Sequence, residues 1–220
     1  MLENINSKDL EIIKGGENAD NIVGYMQLTL LYDAAIKILE TKLQIIEKEY
    51  NLFYGYNPIH TIESRIKTPA SVIDKLKRRD YEVSLESIRK NLKDVAGVRI
   101  ICDYIEDVSK VSEVLKNQED LQLVEEEDYI KNPKKNGYRS LHLVFLVPVR
   151  LTNRTEIVPV EVQIRTIAMD FWASLEHKLR YKQNVEMSNS LKIRLKACAE
   201  IANRLDEEMQ SINEQMKDLK

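Results

Sequence analysis

Apolar residues recur at near-helical spacing between residues 20 and 50, at Leu28, Leu31, Ala35, Ile38 and Ile45, with no proline and one glycine, Gly24. That stripe predicts a long amphipathic helix. A Gly55-Tyr56-Asn57-Pro58 turn ends it, and an extended stretch follows over residues 62–67. Thr68 and Pro69 then form a helix start signal, Thr68 as cap and Pro69 in the first helical position, for a helix expected to reach about Arg79. The β-branched run over 95–102 predicts a central strand, 108–115 a short helix, 121–124 another strand, and 133–137 a turn-rich loop.

Two later segments alternate with period two: Asn136-Gly137-Tyr138-Arg139-Ser140-Leu141-His142 and Glu161-Val162-Gln163-Ile164-Arg165-Thr166. As strands, the first places Tyr138, Ser140 and His142 on one face. The second places Glu161, Gln163 and Arg165 on one face and Val160, Val162 and Ile164 on the buried side. A structural strand pair has no need of an aromatic ring, an imidazole, a carboxylate, an amide and a guanidinium on neighbouring strands, so the pattern predicts an active-site floor. Near the end, Leu191, Leu195, Cys198, Ala202, Leu205, Met209, Ile212 and Met216 repeat in steps of four and three, a heptad seam suited to helix pairing between subunits. The long N-terminal helix is its expected packing partner, and packing on its own domain is the other reading.

Composition narrows the class. The 220 residues, 43% hydrophobic and 31% charged, fit one soluble domain with helical extensions: 1–58 leading in, 59–183 as the core, 184–220 as a tail. A formal net charge of −3 removes any general attraction to nucleic acid, so phosphate chemistry must be local and no stable nucleic-acid partner is expected. Residues 1–16 lack a basic region followed by an apolar block, and no run approaches the ~18 apolar residues of a membrane span. A cytoplasmic location is the expectation. Cys102 and Cys198 both lie in apolar contexts far apart in sequence, which predicts buried thiols rather than a disulfide or metal pair.

Further candidate chemistry lies outside the strand pair. Arg65 and Lys67 flank an apolar residue, and Ser71, Lys75 and Arg78 follow on one helix face, a stripe suited to polyphosphate or simply to solvent. Asp94, at the entrance to the central strand, is a plausible Mg²⁺ ligand, and Arg99 inside that strand must find a partner or a ligand. Strict alternation sets Asp94 and Arg99 on opposite faces, so a shared site requires a bulge or twist, which Gly97 permits. Lys131, Lys134 and Lys135 offer ammonium groups to an anionic ligand, beside Tyr138 for base stacking and His142 for phosphate oxygens. Asp170 has the two acceptor oxygens that match the N1 and N2 donors of guanine, and exposure on a helix surface is its other reading. The acidic run Glu125-Glu126-Glu127-Asp128 reads as a solvated loop.

Arg65-Ile66-Lys67, Asp94-Val95-Ala96-Gly97-Val98-Arg99, Asp128-Tyr129-Ile130, and the Asn136 and Glu161 segments occur in the order found in RelA/SpoT-type alarmone synthetases, a resemblance spanning roughly residues 60–182. The segment from Ala168 to His177 resembles the stand-alone small alarmone synthetases. With only His60, His142 and His177, the chain has no His-Asp pair like that of the hydrolase domain in long members, so it resembles a synthetase-only enzyme.

The resemblance implies an α+β, nucleotidyltransferase-like mixed sheet flanked by helices, and transfer of the β,γ-pyrophosphoryl group of ATP to the 3′-hydroxyl of GDP or GTP, with GMP a further acceptor candidate and AMP released. It implies that Arg65 and Arg99 sandwich adenine while Lys67, Ser71, Lys75 and Arg78 hold the ATP phosphates. Asp94 and Glu161 are implied for Mg²⁺, with Glu161 also able to take the 3′-hydroxyl proton. Gln163 orients nearby groups and His142 steadies the transferring phosphates. Tyr138 stacks on guanine and Lys134 reaches the acceptor's 5′ phosphates, with Arg165 and Asp170 on the same side. Small members of the family are typically homotetramers. The second reading is a non-catalytic regulator that binds a guanine nucleotide or RNA in the same cleft.

Overall fold

The computed structural model describes residues 19–181 and 187–219, so the leader reading of residues 1–16 and the tail boundary at 183–184 lie outside the described residues. The long helix, α1 (Ala19–Tyr54), buries Leu28, Leu31, Tyr32, Ala35, Ile36, Leu39, Leu43 and Ile46 against strands β1 (Ile59–Ile66), β2 (Ala96–Cys102), β4 (Leu141–Arg150) and β5 (Thr155–Thr166). The stripe departs from expectation at one place: Ile45 is exposed and Ile46 is buried. Steps of four and three from Leu39 through Leu43 lead to residue 46, and 45 falls off that line.

Thr68 caps α2 (Pro69–Arg78) by accepting from the Ser71 backbone N–H, with Pro69 at its start. Helix α3 (Leu85–Asn91), capped by Ser84, was not anticipated; seven residues are too few for a periodic signal. Helix α4 (Ile105–Lys116) leads to the edge strand β3 (Gln122–Asp128). Residues expected as a solvated acidic loop, Glu125 to Asp128, are the second half of that strand.

The sheet runs β1-β2-β5-β4-β3, with β2 and β5 parallel and every other neighbouring pair antiparallel. It is a mixed sheet in an α+β arrangement. One face, including Val98, Ile100, Leu143, Phe145, Val160, Val162 and Ile164, forms the core with α1 and α4. A short hairpin at residues 151–154 joins β4 to β5, closed by Leu151 N–H donating to Arg154 O at 2.8 Å.

The strand expected from Asn136 begins only at Leu141. Asn136 Oδ1 accepts from Tyr138 N–H (3.2 Å), Gly137 N–H donates to Lys134 O (2.8 Å), and Gly137 takes φ +92°, a left-handed conformation suited to glycine. The asparagine side chain thus competes with the sheet ladder and makes a turn.

Helix α5 (Ile167–Tyr181) follows β5 directly, and α6 (Asn189–Asp218) packs on α5 and α4 rather than on α1, whose apolar face is occupied by the sheet. The buried line of α6 runs through Ala199 and Asp206. The seam residues Leu191, Leu205, Met209, Ile212 and Met216 point outward, as does Cys198, contrary to the expected buried thiol.

Candidate active site

Side chains at paired positions of neighbouring strands share a face, so the sheet register decides what meets what. One row crosses all five strands: Glu63, Arg99, Gln163, His142 and Glu127. The adjacent row is Arg65, Gly97, Glu161, Val144 and Glu125. The two rows occupy the face opposite the core, and the alternation of β5 supplies their centre, as its sequence predicts.

Asp94 joins them without a bulge. The β2–β5 ladder keeps unbroken register from Ala96 to Cys102, and Asp94 lies before it, so strand parity does not bind it. Lys67 N–H donates to Val95 O (2.8 Å), which carries the β1–β2 pairing one residue further, and Asp94, Arg65, Gly97, Arg99, Glu161 and Gln163 line one cavity. Asp94 Oδ2 pairs with the ammonium groups of both Lys67 and Lys75, while Lys67 also donates to Asp94 O at 2.9 Å. Burial pushes the Asp94 pKa up, but the hydrogen bonds from Lys67 and Lys75 outweigh it and hold the carboxyl below its ordinary range. Asp94 Oδ1 is buried with no hydrogen-bond partner. An adjoining cleft is lined by Ser71, Lys75 and Arg78 of α2 together with Arg65 and Lys67, so the cationic stripe borders the site, with Ser71 and Arg78 also exposed to solvent.

Glu161 behaves like Asp94. Gln163 Nε2 donates to its Oε2 (2.9 Å) and His142 Nδ1 lies 3.5 Å from its Oε1. Burial raises its pKa, yet the His142 and Gln163 contacts prevail and the net shift is downward. Both carboxylates are therefore ionised at neutral pH. Among the described residues no group of three or more His, Cys, Asp and Glu makes a closed metal cage. Two carboxylates, one with an unpartnered buried oxygen, are instead a donor set that suits Mg²⁺ completed by substrate phosphates.

Arg165 is placed differently from its expected role. Only 5% exposed, it lies beneath the site and distributes four sets of contacts: Nε to Ser140 Oγ (3.3 Å), one terminal nitrogen to Asp170 Oδ1 (3.0 Å), the other to Tyr138 Oη (2.6 Å) and Gln163 Oε1 (2.7 Å). It ties β5 to the loop, to the strand neighbour and to α5 at once. Asp170 is not a free surface carboxylate, since Arg165, Arg99 (3.5 Å) and the Ser174 hydroxyl (3.3 Å) all reach it. Arg99 also pairs with Glu63 at 3.2 Å, and its buried Nε has no partner.

The same network reaches His142: Tyr138 Oη accepts from Arg165 and lies 2.7 Å from His142 Nε2, while His142 Nδ1 faces Glu161. Tyr129 completes the aromatic corner, edge-on to His142 (5.2 Å between ring centroids) and Tyr138 (6.1 Å), with the Lys134 ammonium 4.1 Å from its ring centroid. Sequence reasoning gave no role to Tyr129 or Glu63. Their signal was available in the strand register, because Glu63 stands opposite Arg99, and Tyr129 immediately follows β3 and donates to Glu127 at 2.6 Å. Lys131 instead pairs with Asp128 (3.0 Å), away from the rings.

One carboxylate paired with Lys67 and Lys75, a second held by His142 and Gln163, arginines on one side and edge-on rings on the other suit a transferase-type site for two phosphorylated, aromatic ligands. A family model described as a region found in RelA / SpoT proteins matches residues 64–186. GTP pyrophosphokinase YwaC of Bacillus subtilis (strain 168) is 51% identical over 187 residues, covering 85% of this chain and 89% of that protein. The crystal structure of small alarmone synthetase 2 from Bacillus subtilis superposes with a TM-score of 0.77 at 50% identity, covering 84% of this chain and 97% of that one. Small alarmone synthetase 1 from Bacillus subtilis, bound to its product pppGpp, gives 0.80 at 37% identity, covering 87% and 97%. The chain belongs to the RelA/SpoT family.

Proposed function

We propose that this chain is a small alarmone synthetase, a GTP pyrophosphokinase that transfers the β,γ-pyrophosphoryl group of ATP to the 3′-hydroxyl of GDP or GTP, making ppGpp or pppGpp and AMP. The observation that carries this reading is that Asp94, paired with Lys67 and Lys75 in one cleft, also lines the adjoining cavity together with Glu161, Arg65 and Arg99. A regulator that only binds nucleotide has no use for two partly buried, ionised carboxylates next to a phosphate-binding stripe.

In this mechanism Arg65 and Arg99 flank the adenine, with Gly97 between them leaving room for the base. Lys67, Ser71, Lys75 and Arg78 take the donor phosphates. Arriving phosphate oxygens draw Lys67 and Lys75 from Asp94, which frees that carboxylate. Asp94 and Glu161 would hold Mg²⁺, which when bound neutralises charge on the donor phosphates. Tyr138 stacks on guanine, Lys134 reaches the acceptor's 5′ phosphates, and Asp170 keeps one Oδ2 lone pair for a guanine donor. The 3′ oxygen attacks the β phosphorus, the bond from that phosphorus to the α,β-bridging oxygen breaks, AMP departs with the electron pair, and Glu161 receives the hydroxyl proton. His142, through Nδ1, fixes the Glu161 carboxylate, and Gln163 holds its other oxygen. Arg165 positions Tyr138, Gln163 and Asp170 and does not touch nucleotide.

We assign the segments 1–58, 59–183 and 184–220 to one synthetase domain and place it in the cytoplasm with its substrates. No helix among the described residues is long and apolar enough to cross a membrane. The outward seam of α6 supports assembly into a homo-oligomer, with a tetramer the proposed state. The test is incubation with ATP, Mg²⁺ and GMP, GDP or GTP, with products identified by mass spectrometry. Glu161→Gln and Asp94→Asn are each expected to reduce AMP release by about a hundredfold or more with unchanged circular dichroism. Wild-type turnover in either variant would overturn the site assignment.

A further inference from the structure

Helix α6 lies outside the family-matched region, which ends at residue 186, yet it touches the loop before β4 at several points. A methyl group placed on Gly137 would sit 2.6 Å from Ala199 Cβ, so the loop backbone and α6 are already in closest approach. Tyr138 packs on a small cluster of Trp172, Ala173 and Ala199. Trp172 Nε1 donates to Leu195 O (2.8 Å), pinning α6 to α5, and Arg139 donates to Glu200 Oε2 (3.3 Å). Asn136, whose Oδ1 shapes the turn, donates from its amide nitrogen to Glu176 Oε1 at 3.3 Å. The ring of Tyr138 is thus set from two sides. Arg165 and His142 hold its hydroxyl from the sheet, and α6 supports its ring from behind.

We infer that α6 is the back wall of the acceptor site, with Ala199 a positioning residue that sets the Tyr138 ring and the Gly137 turn for the guanine nucleotide. The inference rests on the acceptor assignment made above. The residues assigned to ATP come from β1, α2, β2 and the link between β1 and α2, whereas α6 packs on α5 and α4. A larger side chain at 199 presses on the Gly137 turn, which already lies close against Ala199, and a displacement near 1 Å can cost about a hundredfold in rate.

The experiment is steady-state kinetics on the full chain with each substrate varied, paired with calorimetric titration of GDP and of a non-hydrolysable ATP analogue. Ala199→Leu is expected to raise the acceptor KM and Kd roughly 10–100-fold and leave the values for ATP within about twofold. Trp172→Phe keeps the packing ring but removes the bond to Leu195, and is expected to give a smaller shift of the same acceptor-selective kind. It decides the matter if Ala199→Leu fails to fold. Equal changes for both substrates, or no change in either, overturn the inference. Absence of any pyrophosphorylated product from the wild type would instead overturn the proposed function, so the two failures are distinct.

Discussion

Replacing Arg165 with alanine distinguishes a buried organiser from a surface nucleotide ligand. The guanidinium is 5% exposed and serves Ser140, Asp170, Tyr138 and Gln163 together. Removing one member of a buried charge pair costs about 3–5 kcal/mol, because the other charge is left without compensation. Asp170 retains the longer contact from Arg99, at 3.5 Å, which offsets part of that loss. The orphaned acceptors on Tyr138, Gln163 and Ser140 add to it, at about 1 kcal/mol for each neutral bond. With the Arg99 contact taken to offset the three neutral bonds, the expected net destabilisation of about 3–5 kcal/mol corresponds to a fall in melting temperature of roughly 6–20 °C for a chain of this size. Arg165→Lys keeps the charge but loses the planar fork and should lie between alanine and wild type. Calorimetry or urea unfolding measures both variants in the absence of nucleotide. If Arg165→Ala melts within about 2 °C of wild type and changes only the acceptor KM, Arg165 is a ligand and the organiser role is refuted.

Three further outcomes follow from the geometry. Gly97→Val should fold normally, since a methyl there meets only backbone oxygens at 3.8 and 3.9 Å, yet raise the ATP KM by about tenfold or more by filling the space between Arg65 and Arg99; an unchanged ATP KM would place adenine elsewhere. Burial pushes the Asp206 pKa up to about 6, against donation from the Thr166 hydroxyl. The unfolded chain releases that proton near pH 4 and the folded chain holds it to about pH 6, so stability is lost as pH rises through this window. Asp206→Asn should remove that component, and urea midpoints that stay parallel to wild type from pH 4.5 to 6.5 would contradict it. Asp94 and Glu161, with depressed values, contribute stability above about pH 4 that is lost below it. Charged substitutions at the outward Leu205 and Met209 should reduce oligomer mass in light scattering, and an unchanged mass would exclude the seam as an interface.

What could be read in the sequence depended on whether a local rule governed the residue. The period-two run of β5 and the Thr68-Pro69 start were legible because alternation and capping act within a few residues. Alternation called for a bulge or twist to bring Asp94 to the side of Arg99, and none is needed because the β2–β5 ladder begins only at Ala96. The Asn136 segment has the alternation of a strand, but its asparagine side chain and the left-handed Gly137 override it. Arg165 could not be seen as buried, because a guanidinium belongs at the surface unless its partners are known, and these come from the loop, α5 and a neighbour on its own strand. Cys198 misled because its apolar neighbours on α6 face outward, away from the chain's own core.

The short hairpin at residues 151–154 has a practical consequence for anyone attaching probes or fusing partners to this enzyme. Strand β5 is central, and a single residue inserted just before Glu161 would turn Glu161, Gln163 and Arg165 into the core and the following Val162 and Ile164 outward, disrupting fold and chemistry together. The hairpin lies at the opposite end of the same two strands, about 26 Å along β4 from His142 at ~3.3 Å per residue. Extra residues there lengthen a surface turn without shifting register. It is the one place on these strands where the enzyme can carry a fluorophore or an epitope and still report on its own catalysis.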